Sequence, residues 1–368
     1  MTDGSQITPT SPVRILVAGD YYMPTGIFTP ALARLGNAVA VTELQIASTE
    51  AAPPRTDSHR ALREYVGDPA DLVAAVPGHE VLVVHGAPVT AEVLDAAPLR
   101  LVCCARGGPV NIDVAAATAR GILVTNAPGR NAEAVAELTI AFALMLIRGV
   151  PAAARYLTGG GPLGGSTYEG SQFIGGEAAT MTLGLVGLGH VGREVAGRAR
   201  ALGFRMLGYD PAPPDAVPPG VTMVALDDLL SRSDLVSVHA RATPGNRHMF
   251  GAAAFARMPR GALFINTARE SLVDEDALAG ALASGTLAGA ALDVAERPPA
   301  GSRHPLLDLP NVIITPHIGG ATRETLRRGA EMAAAAVARL VSGESPDHLV
   351  NPETLAHPEI LADQEAAW

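Results

Sequence analysis

The 368-residue chain is poor in cysteine, in aromatic residues and in basic charge. Its two cysteines, Cys103 and Cys104, stand side by side in a strand-like LRLVCCA run. Neighbours on a strand point to opposite faces, which argues against a disulfide between them and predicts buried, reduced thiols in a cytoplasmic chain. Long hydrophobic runs are missing too. The most apolar stretch, Leu138–Ile147, has ten residues between Glu137 and Arg148, against the ~20 needed to cross a bilayer, and it predicts a buried helix. The first residues, MTDGSQITPTSP, are polar and predict a frayed terminus without a secretory signal. A formal charge of −10 excludes the basic face that nucleic acid demands. Aromatics at 4% leave the core to Ala, Val and Leu, while 48% hydrophobic residues make that core large. Neither a fixed-period repeat nor a metal site is expected.

What the chain does have is length for about two domains and a steady alternation of short β-branched runs with Ala-rich helical patterns. That alternation predicts parallel sheets of βαβ units. A first set of strands comprises VRILVAG (13–19), VLVVH (81–85), LRLVCCA (99–105) and ILVTN after Gly121. A second comprises TLGLVG (182–187), FRMLGYD (204–210), DLVSVHA (234–240), ALFIN (262–266), GAALDV (289–294) and VIITP (312–316). The Gly/Pro-rich TGGGPLGGS (158–166) marks a loop between the sets. Long helical patterns cover Asn131–Tyr156 and Glu324–Leu340, and helices in such places often cross between domains.

The most specific signal is TLGLVGLGHVGREVAGRARALGFRMLGYDP. Gly187, Gly189 and Gly192 form G-x-G-x-x-G after a strand and at the opening of a helix. Such glycines permit a tight turn, close backbone approach to a pyrophosphate and close helix–strand packing, with the anion at the helix N-terminus. Asp210 ends the next strand, 23 residues after Gly187, where a carboxylate can accept from a ribose 2′-OH. An acid there repels a 2′-phosphate, so the expected cofactor is NAD; nearby Arg205 is the one feature pointing the other way. The competing reading makes Asp210, before Pro211, a turn residue.

Four blocks then carry a likeness: ARGGPVNID (105–113), GLGHVG…YDP (187–211), NTARESLVDEDAL (266–278) and NVIITPHIGGAT (311–322). On these the chain resembles the D-isomer-specific 2-hydroxyacid dehydrogenases, over most of residues 80–330. The resemblance implies two doubly wound α/β domains around a cleft: a flavodoxin-like substrate domain (12–126 plus 321–345) and a Rossmann NAD-binding domain (127–320), with a tail at 346–368. It implies an NAD-dependent oxidoreductase, a homodimer, acting on a small D-2-hydroxy acid or 2-keto acid. Arg269 would bind the substrate carboxylate and polarise the carbonyl, a task that suits a planar, permanently charged fork. Its structural alternative is an ion pair with Glu270 or Asp274. His317, in TPHIGG, would be the acid/base, since histidine titrates near working pH. Cofactor contacts are implied for Gly187, Gly189, His190, Val191, Gly192, Asp210, Thr267, Ala268, Arg269, Asp293, His317, Gly319 and Gly320. Asp293 would stand near the nicotinamide amide, or else is a strand-end turn residue. Gly107 and Gly108 would help hold the substrate carboxylate, in a loop shorter than in phosphoglycerate dehydrogenase. His239 reads as structural or as a neighbour of the cofactor. The Leu138–Ile147 helix fits a dimer interface or the core.

One block departs from the family. Relatives place a glutamate five residues after the aspartate, in D-V-x-x-x-E-P, to orient the histidine and favour its protonated form. Here that position is Pro298, followed by Pro299, and His304–Pro305 keeps the family's downstream register. Three readings stay open: Glu296 substitutes, Glu270 partners His317, or His317 works without a carboxylate. The last predicts reduction that fails at lower pH than in relatives. It also leaves room for a second class of function, an NAD(H)-binding regulatory protein on a dehydrogenase scaffold. Substrate choice is expected to lie in the first domain, where GDYYMPTGIF (19–28) has no counterpart to read it by.

Overall fold

The computed structural model describes residues 11–161, 169–212, 215–296, 298 and 302–356. The first ten residues, most of the Gly/Pro-rich loop, and the tail from 357 lie outside the described residues. The chain divides into two compact units, Met1–Arg130 with Arg323–Trp368, and Asn131–Thr322.

The first unit holds a five-stranded parallel sheet: β1 (Val13–Gly19), β2 (Val39–Gln45), β3 (Val81–Val84), β4 (Leu101–Cys104) and β5 (Leu123–Thr125). The order is β2-β1-β3-β4-β5, the flavodoxin-like arrangement. Its strands alternate faces, as the pleat requires. Ile15, Val17, Val83, Leu101 and Cys103 pack with Phe28 and with Ala333 and Val337 of the Arg323–Val341 helix. Leu16, Ala18, Val84, Val102 and Cys104 pack on the other side with Leu72 and Val93. The two cysteines therefore enter different layers, and both are free. Burial pushes their thiols up to about 12 and about 11, so both stay protonated. The C-terminal helix is part of this unit's core because its alanines let it lie close to the sheet.

The second unit holds seven parallel strands: β6 (Thr182–Val186), β7 (Arg205–Tyr209), β8 (Val221–Met223), β9 (Leu235–Val238), β10 (Ala262–Asn266), β11 (Leu287–Leu292) and β12 (Val312–Ile314). They run β12-β11-β10-β9-β6-β7-β8, the Rossmann order with one strand added at the far edge. The central strands β9 and β10 are buried throughout, which explains their unbroken apolar sequences.

Three features differ from the sequence expectation. Strands β2 and β8 were not foreseen. Both are edge strands, and β2 keeps most of its residues exposed, so neither needs the apolar run that betrays a buried strand. The single helix expected over Asn131–Tyr156 is two, Ala132–Ile147 and Val150–Thr158. Gly149, at φ 60°, takes the left-handed conformation that ends the first. Pro151 then sits in the first turn of the second, where its missing N–H is no loss. Among the described residues no single helix is long and apolar enough to cross a membrane.

Candidate active site

The glycine turn follows β6, where strand order reverses between β6 and β9. Gly187 has φ +96°, and a Cβ there would lie 2.6 Å from Ala240 N and 2.7 Å from the His239 carbonyl carbon. A Cβ on Gly192 would stand 2.0 Å from Gly187 O, so only glycine lets the His190–Ala201 helix start this close to the strand. Gly189 faces open space, and no side chain caps the helix there. The N–H groups of the first turn are left for an anion.

Asp210 follows β7 on the same edge. Leu188 N donates to its Oδ2 at 2.8 Å and Ala212 N to its Oδ1 at 3.0 Å, which fixes the carboxylate beside the glycine turn with lone pairs to spare. Arg205 starts β7 and donates to Thr180 O, so it lies the length of a strand from Asp210, roughly 16 Å. The doubt it raised about the cofactor falls away. A glycine cradle, an uncapped helix start and a fixed acid fit a dinucleotide with a free ribose 2′-OH, and the cofactor is NAD.

The next loops are joined by a chain of hydrogen bonds along the sheet edge. Asn266 ends β10 and is buried; its Oδ1 accepts from Ala268 N at 3.0 Å and its Nδ2 donates to Arg269 O at 2.9 Å. This closes the turn that carries Thr267, Ala268 and Arg269. The Arg269 guanidinium donates through Nη1 to Ala268 O at 2.7 Å. Thr267 is buried, its hydroxyl 3.1 Å from that of Thr139. Asp274, one of the two acids considered as an Arg269 partner, caps the Glu275–Ala283 helix through Ala277 N.

Asn266 O accepts from Asp293 N at 3.0 Å, and Asp293 O accepts from His317 N at 3.0 Å. The Asp293 side chain, 2% exposed, accepts from Thr315 Oγ1 and Ile318 N on one oxygen and from Gly319 N on the other. All three donors belong to the turn that carries His317, and the turn holds His317 at φ 56°. A non-glycine residue accepts that conformation only where its surroundings enforce it. The Asp293 carboxylate thus shapes the histidine turn. Gly320 continues that turn, and the His317 side chain is exposed.

No carboxylate among the described residues of this unit is hydrogen-bonded to the His317 imidazole. Glu296 points elsewhere: its Oε1 is 3.8 Å from His248 Nε2 and 3.9 Å from Arg247 Nη2, and its N–H donates to Glu275 Oε1. The other Glu275 oxygen takes His304 Nε2 at 2.7 Å, so one carboxylate ties both ends of the segment that contains Pro298. Glu270 is half-buried at the head of a short 3-10 turn and makes no bond to His317. His239 accepts no catalytic part. Its Nε2 meets Ser237 Oγ at 2.9 Å, its Nδ1 is buried without a partner, and burial pushes the ring down to about 3, so it is neutral.

Gly107 and Gly108 follow β4 in the first unit. Among the described residues of that unit neither N–H is bonded, and added Cβ atoms would meet nothing closer than Ala127 O at 3.7 Å. Asn126 Nδ2 donates to Gly107 O at 2.8 Å and steadies the loop. Sequence reasoning missed Asn266, Thr139 and Asn126. The first was in plain view in NTAR, but a buried asparagine that braces a turn looks the same in sequence as one exposed in a loop. Among the described residues no group of His, Cys, Asp and Glu could hold a metal ion.

Comparison with known proteins gives the family. Residues 140–319 match the family model of the D-isomer specific 2-hydroxyacid dehydrogenase, NAD binding domain. A glyoxylate reductase of Korarchaeum cryptofilum is 39% identical over 269 residues, covering 73% of this chain and 81% of that protein. A D-3-phosphoglycerate dehydrogenase of Mycobacterium bovis is 41% identical over 284 residues, 76% of this chain but 52% of the relative, so the chain spans about half of that longer enzyme. Among solved structures, the TT0316 protein from Thermus thermophilus superposes with a TM-score of 0.75 at 34% identity, covering 92% of this chain and all of that one. The glycine cradle, the fixed acid and these relatives lead to one assignment: the chain belongs to the D-isomer-specific 2-hydroxyacid dehydrogenases, a family of NAD-dependent enzymes.

Proposed function

We propose that the chain transfers hydride between NAD(H) and C2 of a small D-2-hydroxy acid or 2-keto acid, with Arg269 binding the substrate carboxylate and His317 exchanging the proton. The observation that carries this reading is the hydrogen-bonded chain from Asn266 through Asp293 to His317. It fixes the Arg269 turn and the His317 turn to each other across the ends of β10, β11 and β12. Two strand spacings, roughly 10 Å, separate their roots, a gap that two side chains and a small acid can bridge.

The bound cofactor supplies or accepts the hydride. The protein's part is placement and proton transfer. The Arg269 fork pairs with the carboxylate and draws density from the adjacent carbonyl. His317 gives a proton to the carbonyl oxygen on reduction and takes one from the hydroxyl on oxidation. The N–H groups of Gly107 and Gly108, unbonded among the described residues, suit an anion. Chains of this kind are proposed to work as cytoplasmic homodimers, and the exposed Leu144, Val150 and Leu157 on the two helices after Asn131 give an apolar surface for the pairing. The test is NADH oxidation over a panel of 2-keto acids. Wild type should turn over at least one, and Arg269→Ala and His317→Ala should each lower kcat/KM about 10²–10⁴-fold. Purified, NADH-binding protein that turns over none would sink the reading.

A further inference from the structure

In the first unit the Thr25–Leu32 and Arg323–Val341 helices share one core layer, to which they bring Phe28, Ala31, Ala330 and Ala333. Where the two helices meet lies a pocket with a cavity volume of about 240 Å³. No residue of the reaction proposed above lines it. Part of its lining is apolar, from Ile27, Pro30 and Ala31. The rest is charged: Arg34, Arg323, Arg327 and Glu331.

Glu331 is shared between two of the arginines through a single oxygen. Its Oε1 is 3.0 Å from Arg327 Nη1 and 3.9 Å from Arg34 Nη1. Arg323 pairs with no carboxylate among the described residues. Three guanidiniums against one carboxylate leave the pocket two positive charges in excess. Helix stability does not account for them. Arg323 and Arg327 stand four residues apart on one helix face, where like charges repel. Arg323 also opens its helix, the end at which the macrodipole disfavours a cation.

An anion in the pocket offsets both penalties. A phosphate monoester carries a charge of about −1.5 to −2 at pH 7 and three acceptor oxygens, which matches the excess charge and the three guanidiniums. Guanidinium forks suit phosphoryl oxygens because two parallel N–H donors meet them at once. The carbon part of such an ester has Ile27, Pro30 and Ala31 to lie against. Pro30 stands inside its helix without an N–H, so Gly26 O, also in the lining, lacks its helical donor and can accept from a ligand hydroxyl. The volume falls below the roughly 300–1,000 Å³ of sites for drug-sized ligands, which favours a small ester over a nucleotide.

We propose that this pocket is a binding site for a small phosphate monoester, with Arg34, Arg323 and Arg327 holding the phosphoryl group and the apolar lining taking the carbon group. Glu331 is the resident rival for the same guanidiniums. The ligand is bound there and not turned over, so the inference does not rest on the function proposed above.

The test is calorimetric titration of the full chain loaded with NADH, which keeps the glycine cradle occupied. The probes are glycerol 1-phosphate, glycerol, inorganic phosphate and malonate. Glycerol 1-phosphate should bind saturably with a Kd of about 1 mM or tighter, and glycerol should not bind. Inorganic phosphate and malonate should each bind about fivefold more weakly or worse, which separates the ester from the free ion and phosphoryl from carboxylate. The Arg323→Gln/Arg327→Gln double variant should lose about tenfold or more in ester affinity with NADH affinity unchanged. Both side chains are exposed, so the fold does not depend on them. Glu331→Gln, which removes the rival charge, should tighten the ester about three- to tenfold. The inference is overturned by a wild type that does not bind the ester saturably, or that binds phosphate or malonate as tightly. It is equally overturned by a double variant with unchanged ester affinity, or by a Glu331→Gln that binds the ester no more tightly.

Discussion

The two parallel sheets present contrasting carboxyl ends. In the second unit the edge is built mainly from backbone: a glycine cradle, an uncapped helix start, and turns braced by Asn266 and Asp293. In the first unit it is built from charged and aromatic side chains buried in sequence, Asp20, His85 and Arg130 beneath Tyr22. A backbone site demands particular residues at particular spacings, because only glycine tolerates the close approaches. A side-chain network can be assembled from any loops the fold brings together. The first kind is therefore legible in a sequence, and the second is not.

The contrast breaks most readily at the cradle. Gly192→Ala places a methyl 2.0 Å from Gly187 O, where the obstacle is backbone and cannot yield. The expected result is loss of NADH binding by about 100-fold or more, or failure to fold, read by fluorescence titration and a thermal melt. Retained affinity in a folded variant would show that the cradle is not the cofactor's.

Next in size is Asp293→Ala. It removes the acceptor of three hydrogen bonds and frees a histidine turn held in a strained conformation. Stability should drop by about 3–5 kcal/mol in denaturant melts, with kcat falling more than NADH affinity. An equal loss of both would place Asp293 at the cofactor rather than beneath His317.

A smaller effect is shared by the two edges and follows pH. His239 is held at about 3 by burial, and His85 is lowered by burial as well. For both, the unfolded chain binds the proton first, so the full stability is present above about 6.5 and is lost as pH falls below it. Asp20 acts lower down. Burial alone would raise its carboxyl, but the bonds from His85, Met23 and Gly86 outweigh that and hold it below the ordinary value, so its contribution fades as pH falls beneath 3.8. Each group that is protonated in the unfolded chain alone contributes a slope of about 1.4 kcal/mol per pH unit. Urea melts between pH 7.5 and 5 should show stability falling with acidity, and the slope should shrink in His239→Gln. A flat profile would mean that neither ring is held neutral.

Smallest is Pro298→Glu, which restores the family's carboxylate at its own position. Reduction should persist to higher pH than in the parent, by a fraction of a pH unit to about one unit in the kcat/KM profile. An unchanged profile would indicate that the segment tied at both ends by Glu275 keeps position 298 away from His317.

The cradle was legible because its glycines, the following helix and Asp210 lie within one βαβ unit, and local spacing encodes local geometry. The edge strand β2 was not, since an exposed strand carries no apolar run. The helix break at Gly149–Pro151 was legible in principle, but the Ala- and Leu-rich flanks masked it. Asp293 was found by position, but its part in shaping the histidine turn was not, because its three donors arrive from residues 315–319, more than twenty positions away. Glu296 looked like the acid to consider, and its partners, Arg247 and His248, come from a loop about fifty residues earlier.

The sequence by itself determined the parallel α/β class, the dinucleotide fingerprint and the family, since each depends on periodicity or on short-range spacing. Only the tertiary structure decided which polar groups are consumed by their neighbours and which are left over. Hydrogen-bond partners at separations of 22 to 65 residues, such as Asp293 with Thr315 and Asp20 with His85, are chosen by how strands order in the sheet. That ordering buries Arg130 beside the His85 imidazole.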